Sequence, residues 1–279
     1  GHLGPDHYFM STTSSGSAAV LEWIQLWLQT GRTPWKVFVT SMLSAYASIN
    51  VAGPRSRELL KRLVKGVDLA PESFPYMNVR TGQVAGVPDC HMWRIGFTGE
   101  LSYELHVPSG FGLHVWEALL EAGSDLCIKP FGLEAQRVLR LEKGHFIVTQ
   151  DTDASTLAYQ AGLDWLVKLE KEEFIGKEEL VREHQEGSRS RLVALQPVDA
   201  ELVPPEASQI VDGSRSIGRI TSSRYSPSVQ RSICLGIVDT QFSETGTELT
   251  VRLPDGRNVT AHVMEQLAHF DPEGNRLRG

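Results

Sequence analysis

The sequence predicts an α+β fold that closes with a small all-β unit, and three observations carry that expectation. Up to about residue 188, helical and strand-like hydrophobic periods alternate along the chain. The stretch His184 to Arg189 is then polar and of linker composition. Beyond it only short β-like runs follow, separated by Pro and Gly turns. At 279 residues the chain also exceeds the usual single-domain size. We expect a partial ferredoxin-like unit over residues 1–66, a second α+β unit over 67–188 and an all-β barrel or sandwich over 189–279.

Taken in order, Tyr8-Phe9-Met10 reads as a strand with nothing before it to pair with. Ser14 or Ser15 caps a helix to Thr30, where Val20, Trp23, Ile24, Trp27 and Leu28 form an apolar stripe that reads as core, and Gly31 ends it. Val37 to Thr40 and Ala45 to Val51 read as strands. Gly53-Pro54 opens a second helix to Val64, closed by Gly66. That helix carries Arg55, Arg57, Lys61, Arg62 and Lys65, whose plain reading is a solvated face. Strand signals dominate from Phe74 to Val107. Helices follow at Phe111 to Ala122 and Pro130 to Glu142, stopped by Gly123 and Gly144, and Phe174 to Leu180 opens a short charged one. The closing strands are expected at Arg191 to Val198, Ile217 to Ser222, Ser232 to Val238, Glu248 to Leu253 and Asn258 to Met264. Pro254-Asp255-Gly256 makes a hairpin turn between the last two.

Composition narrows the function classes. A formal charge of −7 argues against a nucleic-acid-binding surface, which is generally basic. No apolar run approaches the roughly 18 residues that a membrane span requires, and no secretory leader opens the chain, so neither nucleic acid nor membrane is an expected partner. Cys90, Cys127 and Cys234 are few, odd in number and far apart, which fits neither a disulfide framework nor a zinc site and points to a cytoplasmic setting.

The stretch Ile95 to Leu105, IGFTGELSYEL, carries the chemistry. Thr98-Gly99 breaks an apolar run, and Tyr103, Leu105 and Val107 then alternate with Glu104 and His106 as on a half-buried strand. Glu104 therefore points away from the face of Tyr103 and Leu105. A carboxylate so placed can accept two parallel hydrogen bonds from a ligand that presents adjacent N–H donors. No G-x-G-x-x-G, G-x-x-x-x-G-K-[ST], H-E-x-x-H or G-x-S-x-G motif occurs. The Gln150-Asp151-Thr152-Asp153 loop offers oxygens to a hard cation, although paired loop carboxylates more often cap turns.

Six segments in register, GFTGELSYEL, LRLEKG (Leu139 to Gly144), QDTD, AGLDWLV (Ala161 to Val167), FIGKEEL and TSSRYSP (Thr221 to Pro227), resemble the folate-binding aminomethyltransferase family typified by the glycine-cleavage T-protein. VAGPRSRELL, FPYM, VTQDTD and FDPEGNRLRG extend the likeness to the T-protein-like C-terminal part of heterotetrameric sarcosine oxidase alpha subunits. The resemblance implies a T-protein-like α+β fold with a C-terminal β-barrel. It also implies tetrahydrofolate as the bound group, with flavin and NAD only in other parts of a full enzyme and flavin-bearing oxidase subunits as partners. The activity implied is capture of the imine from oxidation of an N-methyl amine, sarcosine above all, as 5,10-methylenetetrahydrofolate. A non-catalytic folate-binding or subunit-interaction domain is the alternative.

The same resemblance assigns site residues. Glu104 would hold the pterin through its ring N–H and exocyclic amine, Phe97 would pack near the ring, and Glu100 would fix the turn or contact ligand. Phe97 stands where the family often has tyrosine, and Gln136 stands where the T-protein has a folate-binding arginine, leaving Arg137 as a substitute for the folate tail. The family's catalytic aspartate aligns before Gly1, and Asp6 does not match its place. The 279 residues alone would then bind folate while lacking a base that typically contributes about 10²–10⁴-fold.

Overall fold

The computed structural model describes residues 1–31 and 35–279, and these form two compact units. The first comprises Gly1–Gly96, Glu100–Pro130 and Asn275–Gly279; the second comprises Phe97–Gly99 and Phe131–Gly274. The architecture is α+β with a closed six-stranded barrel toward the C-terminus, as the sequence implied.

In the first unit, β1 (His2–Gly4) pairs antiparallel with β2 (His7–Tyr8), so the early strand does have a predecessor to pair with, and Phe9 and Met10 lie beyond it. Helix α1 (Ser17–Thr30) follows a 3₁₀ turn, with Gly16 rather than a serine at its N-cap. None of its residues is buried, and Trp23 is 54% exposed, which corrects the expectation that its tryptophans are core. Val37 to Thr40 forms no strand: Phe38 is fully exposed, and no strand among the described residues takes up its backbone groups. The central sheet contains β3 (Tyr46–Ala52), β4 (Val64–Lys65), β5 (Val79–Val84), β6 (Val87–Trp93) and β7 (Ser102–Pro108) in the antiparallel order β3-β7-β6-β5-β4. Helices α2 (Ser56–Leu63) and α3 (Gly112–Ala122) cover one face. Their Leu59, Leu60, Val115 and Leu119 join Ile49, Val51, Met92, Tyr103, Leu105 and Val107 in a single apolar core, the dominant stabilising term for such a layer.

Two arginines of the basic face of α2 are paired with nearby acids. Arg55 pairs with Glu58 at 2.9 Å and Arg62 with Asp125 at 2.5 Å, all of them exposed. Arg94 is buried and donates to the carbonyls of Leu277 and Arg278 at 3.1 and 2.9 Å, tying the short C-terminal helix Asn275–Arg278 to this unit.

In the second unit, α4 (Leu133–Glu142) and α5 (Lys177–Glu186) precede the barrel. The barrel strands are β8 (Ser190–Pro197), β9 (Gln209–Asp212), β10 (Arg215–Ser226), β11 (Arg231–Asp239), β12 (Glu248–Arg252) and β13 (Asn258–Val263), closed in the order β10-β11-β8-β13-β12-β9. Closure removes the open edges that a sandwich would leave. The strand β9 went unforeseen. The barrel interior is filled by Leu195, Ile210, Ile220, Val238 and Val251, and Leu141 of α4 packs with Leu192, Ala194, Ile233 and Leu235.

Candidate functional site

Alternation on β7 sends Tyr103, Leu105 and Val107 into the core of the first unit, and Ser102, Glu104 and His106 to the opposite face. The antiparallel register sets Asn50 and Trp93 beside Glu104, and Ser48 and His91 beside His106. One sheet face thus collects a carboxylate, two imidazoles and an indole. Phe9 lies on the same group, with ring centroids 5.3 to 6.0 Å from Tyr46, His91, Trp93 and His106.

Most polar atoms on this face are committed. The Asn50 amide donates to Ser102 Oγ at 2.8 Å, and the His91 ring nitrogens meet Tyr46 Oη at 3.2 Å and Thr81 Oγ1 at 3.0 Å. The exceptions are Glu104 and, buried without partners beside it, His106 Nε2 and Trp93 Nε1; Glu104 is the charged one. Its side chain is 27% exposed, no hydrogen-bond donor among the described residues reaches it, and the nearest cationisable atom, His106 Nε2, is 3.9 Å away. Burial pushes its carboxyl above the usual glutamate value. Burial likewise lowers His106, with His91 adding to the effect, so both imidazoles stay neutral near pH 7. A partly desolvated, unpaired carboxylate is poised to accept N–H donors from a ligand, since such charge-assisted bonds exceed what water supplies there. This observation of the chain's own residues fits a ring that presents adjacent N–H groups.

The other expected site residues fall as follows. Glu100, also in the first unit, is engaged by Arg276 at 2.7 Å. Phe97 belongs to the second unit, stacked on His145 with centroids 5.8 Å apart, and its carbonyl accepts a hydrogen bond from His145 Nδ1 at 2.9 Å. Gln136 and Arg137 lie on α4, where exposed Arg137 faces Glu134 at 3.5 Å and Glu134 is also held by Arg224 at 2.5 Å. The structure thus places Glu104 and Glu100 in one unit and Phe97, Gln136 and Arg137 in the other. His106, His91, Trp93 and Tyr46 were not singled out from sequence. For His106 the signal was present, two residues after Glu104 on the same strand face.

The Gln150–Asp153 loop has a structural job. Asp151 is fully buried and accepts from Arg140 at 2.6 Å, the Ile147 amide at 2.7 Å, and the Thr221 and Ser222 hydroxyls at 2.6 Å each. Asp153 caps its own turn through the Ser155 amide and hydroxyl and the Thr156 hydroxyl. Among the described residues no cluster of histidine, cysteine and carboxylate side chains is arranged to hold a metal ion, and no helix is long and apolar enough to cross a membrane.

Comparison with known proteins agrees with this architecture. The GCVT N-terminal domain model matches residues 1–171, and the glycine cleavage T-protein C-terminal barrel domain matches residues 190–269. The chain is 36% identical to sarcosine oxidase subunit alpha of Corynebacterium sp. (strain P-1), a match covering 99% of this chain and 29% of that subunit. It is 33% identical to an aminomethyltransferase of Halothermothrix orenii, over 94% of this chain and 71% of that protein. In fold it resembles the crystal structure of glycine cleavage system aminomethyltransferase T from Bartonella henselae, with a TM-score of 0.75 and 23% identity, covering 90% of this chain and 65% of that one. The chain therefore spans less than a third of the sarcosine oxidase subunit it matches. Two matched domains in the right order, and a relative matched over most of its own length, settle the family: this chain belongs to the glycine cleavage T-protein (aminomethyltransferase) family.

Proposed function

We propose that the chain is a folate-binding module for one-carbon transfer, and that Glu104 is the residue that recognises the pterin. The single observation that carries this reading is the half-buried Glu104 carboxylate, raised in pKa by burial and left without a donor on a face whose other polar groups are mostly paired. A ring N–H and an exocyclic amine supply the two donors that such a carboxylate lacks. When bound, tetrahydrofolate would supply the nucleophilic nitrogens that accept a one-carbon unit. The chain's own residues orient the ring and exclude water around its polar edge.

Kinship with a sarcosine oxidase subunit alpha supports a finer reading, in which the carbon comes from an N-methyl amine such as sarcosine, oxidised by flavin-bearing parts of a larger enzyme. Product would then be 5,10-methylenetetrahydrofolate. Arg137 carries chemistry suited to a carboxylate tail, since its acidic neighbour Glu134 is shared with Arg224.

Titration of the chain with tetrahydrofolate, followed through tryptophan emission, tests the core of the proposal. Saturable quenching that Glu104→Gln weakens is the expected result. Binding of equal strength in the variant would remove Glu104 from the site, and no saturable binding by the wild-type chain would remove the function.

A further inference from the structure

His106 is 7% exposed, and its Nε2 is buried without a hydrogen-bond partner. On the same face, at the register position across from Glu104, the indole Nε1 of Trp93 is also buried without an acceptor. Folded proteins leave few buried polar atoms unpaired, because each forfeits its hydration with nothing in return. Here two such atoms flank a carboxylate that itself lacks a donor, 3.9 Å from Nε2 in the case of His106. The three groups lie on neighbouring strands of one sheet face, so their vacant hydrogen-bonding capacity belongs to one locality.

The tautomer of His106 follows from the same geometry. A neutral imidazole beside a carboxylate is more stable with its proton on the nearer nitrogen, which turns the positive end of the N–H dipole toward the negative charge. Nε2 is therefore a donor, while Glu104 accepts. A 2-amino-4-oxo ring presents an exocyclic amine, a ring N–H and a carbonyl in sequence along one edge. Two of these donate and the third accepts, which is the complement of a carboxylate flanked by an N–H.

We propose, resting on the reading of Glu104 given above, that His106 is a second recognition residue, whose Nε2–H donates to the ring carbonyl next to the N–H pair gripped by Glu104. The pair then reads the 4-oxo edge as a unit and disfavours a 4-amino ring, whose N3 carries no hydrogen for the carboxylate and whose amine would set a donor against the imidazole N–H. Trp93 Nε1, a donor only, is left for water or a further acceptor on the ligand.

The test uses the 279-residue chain and a matched pair of probes, tetrahydrofolate and tetrahydroaminopterin, which differ at the C4 substituent and, with it, in the N3–H. Binding is measured by calorimetry under anaerobic conditions. His106→Phe should weaken tetrahydrofolate about tenfold, as loss of one neutral hydrogen bond does, and leave the 4-amino probe within about twofold. Glu104→Gln should weaken tetrahydrofolate, whose N3–H and exocyclic amine the carboxylate grips, more than the 4-amino probe, which has no N3–H. Equal loss for both probes in His106→Phe, or loss for neither, overturns the role of His106 while Glu104→Gln still supports the carboxylate. If Glu104→Gln leaves tetrahydrofolate unchanged, the underlying reading fails instead.

A second measurement needs no variant. In ¹⁵N-histidine-labelled wild-type chain, the Nε2–H signal of His106 should move downfield on addition of tetrahydrofolate and not on addition of the 4-amino probe. A signal identical with both, or one showing Nδ1–H as the protonated nitrogen, overturns the assignment.

Discussion

Glu104 and His106 stand two residues apart on β7, side chains on the same face, with Oε2 and Nε2 3.9 Å apart and no hydrogen bond between them. That separation leaves the carboxylate neither neutralised nor satisfied by its neighbour. Burial of an unpaired acid is costly to the free protein, and the cost is recovered when donors arrive.

The first prediction concerns the carboxylate itself. Glu104→Gln keeps the size of the side chain but gives up the charge and one acceptor, so tetrahydrofolate affinity should fall by roughly 1.5–3 kcal/mol, the range for a hydrogen bond to a charged group. Calorimetry at neutral pH checks it. An affinity change below measurement error would place the pterin elsewhere.

Glu104 also predicts a pH dependence. Its carboxyl is raised above the ordinary value of 4.5 by burial, so between that value and the folded one the native state holds more protons than the unfolded chain. The sign follows: the destabilisation is fully present above the folded pKa and is relieved as pH falls below 4.5, where both states are protonated. His106 and His91 face the same group, lowered mainly by burial, and His7 further lowers His91 while Asp89 opposes that shift. Both imidazoles are held below their ordinary value of 6.5, so at pH 7 they are neutral beside the carboxylate. Ligand-free Glu104→Gln should melt higher than wild type at pH 7, and the gap should close toward pH 4. Thermal melts that run parallel across this range would mean the carboxylate is not desolvated.

How much of this could be read in the sequence depends on which interactions set each element. The orientation of Glu104 was legible because Tyr103, Leu105 and Val107 repeat at period two, and one apolar face fixes the other. Most barrel strands were legible because Pro and Gly turns bound them, with Gly256 at φ 87° in the β12–β13 hairpin. The strand β9 was not, since Ile210 and Val211 are its only apolar residues; it joins β10 through a two-residue turn, and its other partner, β12, lies far along the chain. The run Val37 to Thr40 misled for the opposite reason: strand-forming residues need a partner strand, and none among the described residues pairs with it. Trp93 and His91 join Glu104 and His106 only through the β6–β7 register, which is a long-range property. The roles of Asp151 and Arg140 were hidden in the same way, because Thr221 and Ser222 arrive from β10.

Asp151 gives the third prediction. Its carboxylate satisfies a buried arginine, a backbone amide and two hydroxyls, all at 2.6 to 2.7 Å. Asp151→Ala strands Arg140, 2% exposed, in the interior without its counter-charge, and such losses cost about 3–5 kcal/mol. Urea denaturation should show it as a fall in midpoint without a change in slope. A variant within 1 kcal/mol of wild type, on the scale of an exposed pair as described for surface salt bridges, would mean that water replaces the carboxylate.

The last prediction isolates a backbone constraint in the LRLEKG segment. Gly144 follows α4 at φ 75°, a conformation that side chains disfavour, and a Cβ placed there would stand 2.4 Å from the Leu267 carbonyl carbon and 2.6 Å from the Ala268 amide nitrogen. Both obstacles are main chain, held in place where the amides of His269 and Phe270 donate to the Glu142 carbonyl at 2.8 and 2.9 Å. Neither can rotate aside as a flexible side chain would. Gly144→Ala therefore combines left-handed strain with a clash that only a backbone shift relieves, for a loss of about 2 kcal/mol or more. Gly176, at φ 89° with nothing near its missing Cβ, is the control: Gly176→Ala carries the strain without the clash and should lose about 1 kcal/mol. Equal losses in the two variants would show that the conformation, not the close approach to Leu267, is what this glycine provides.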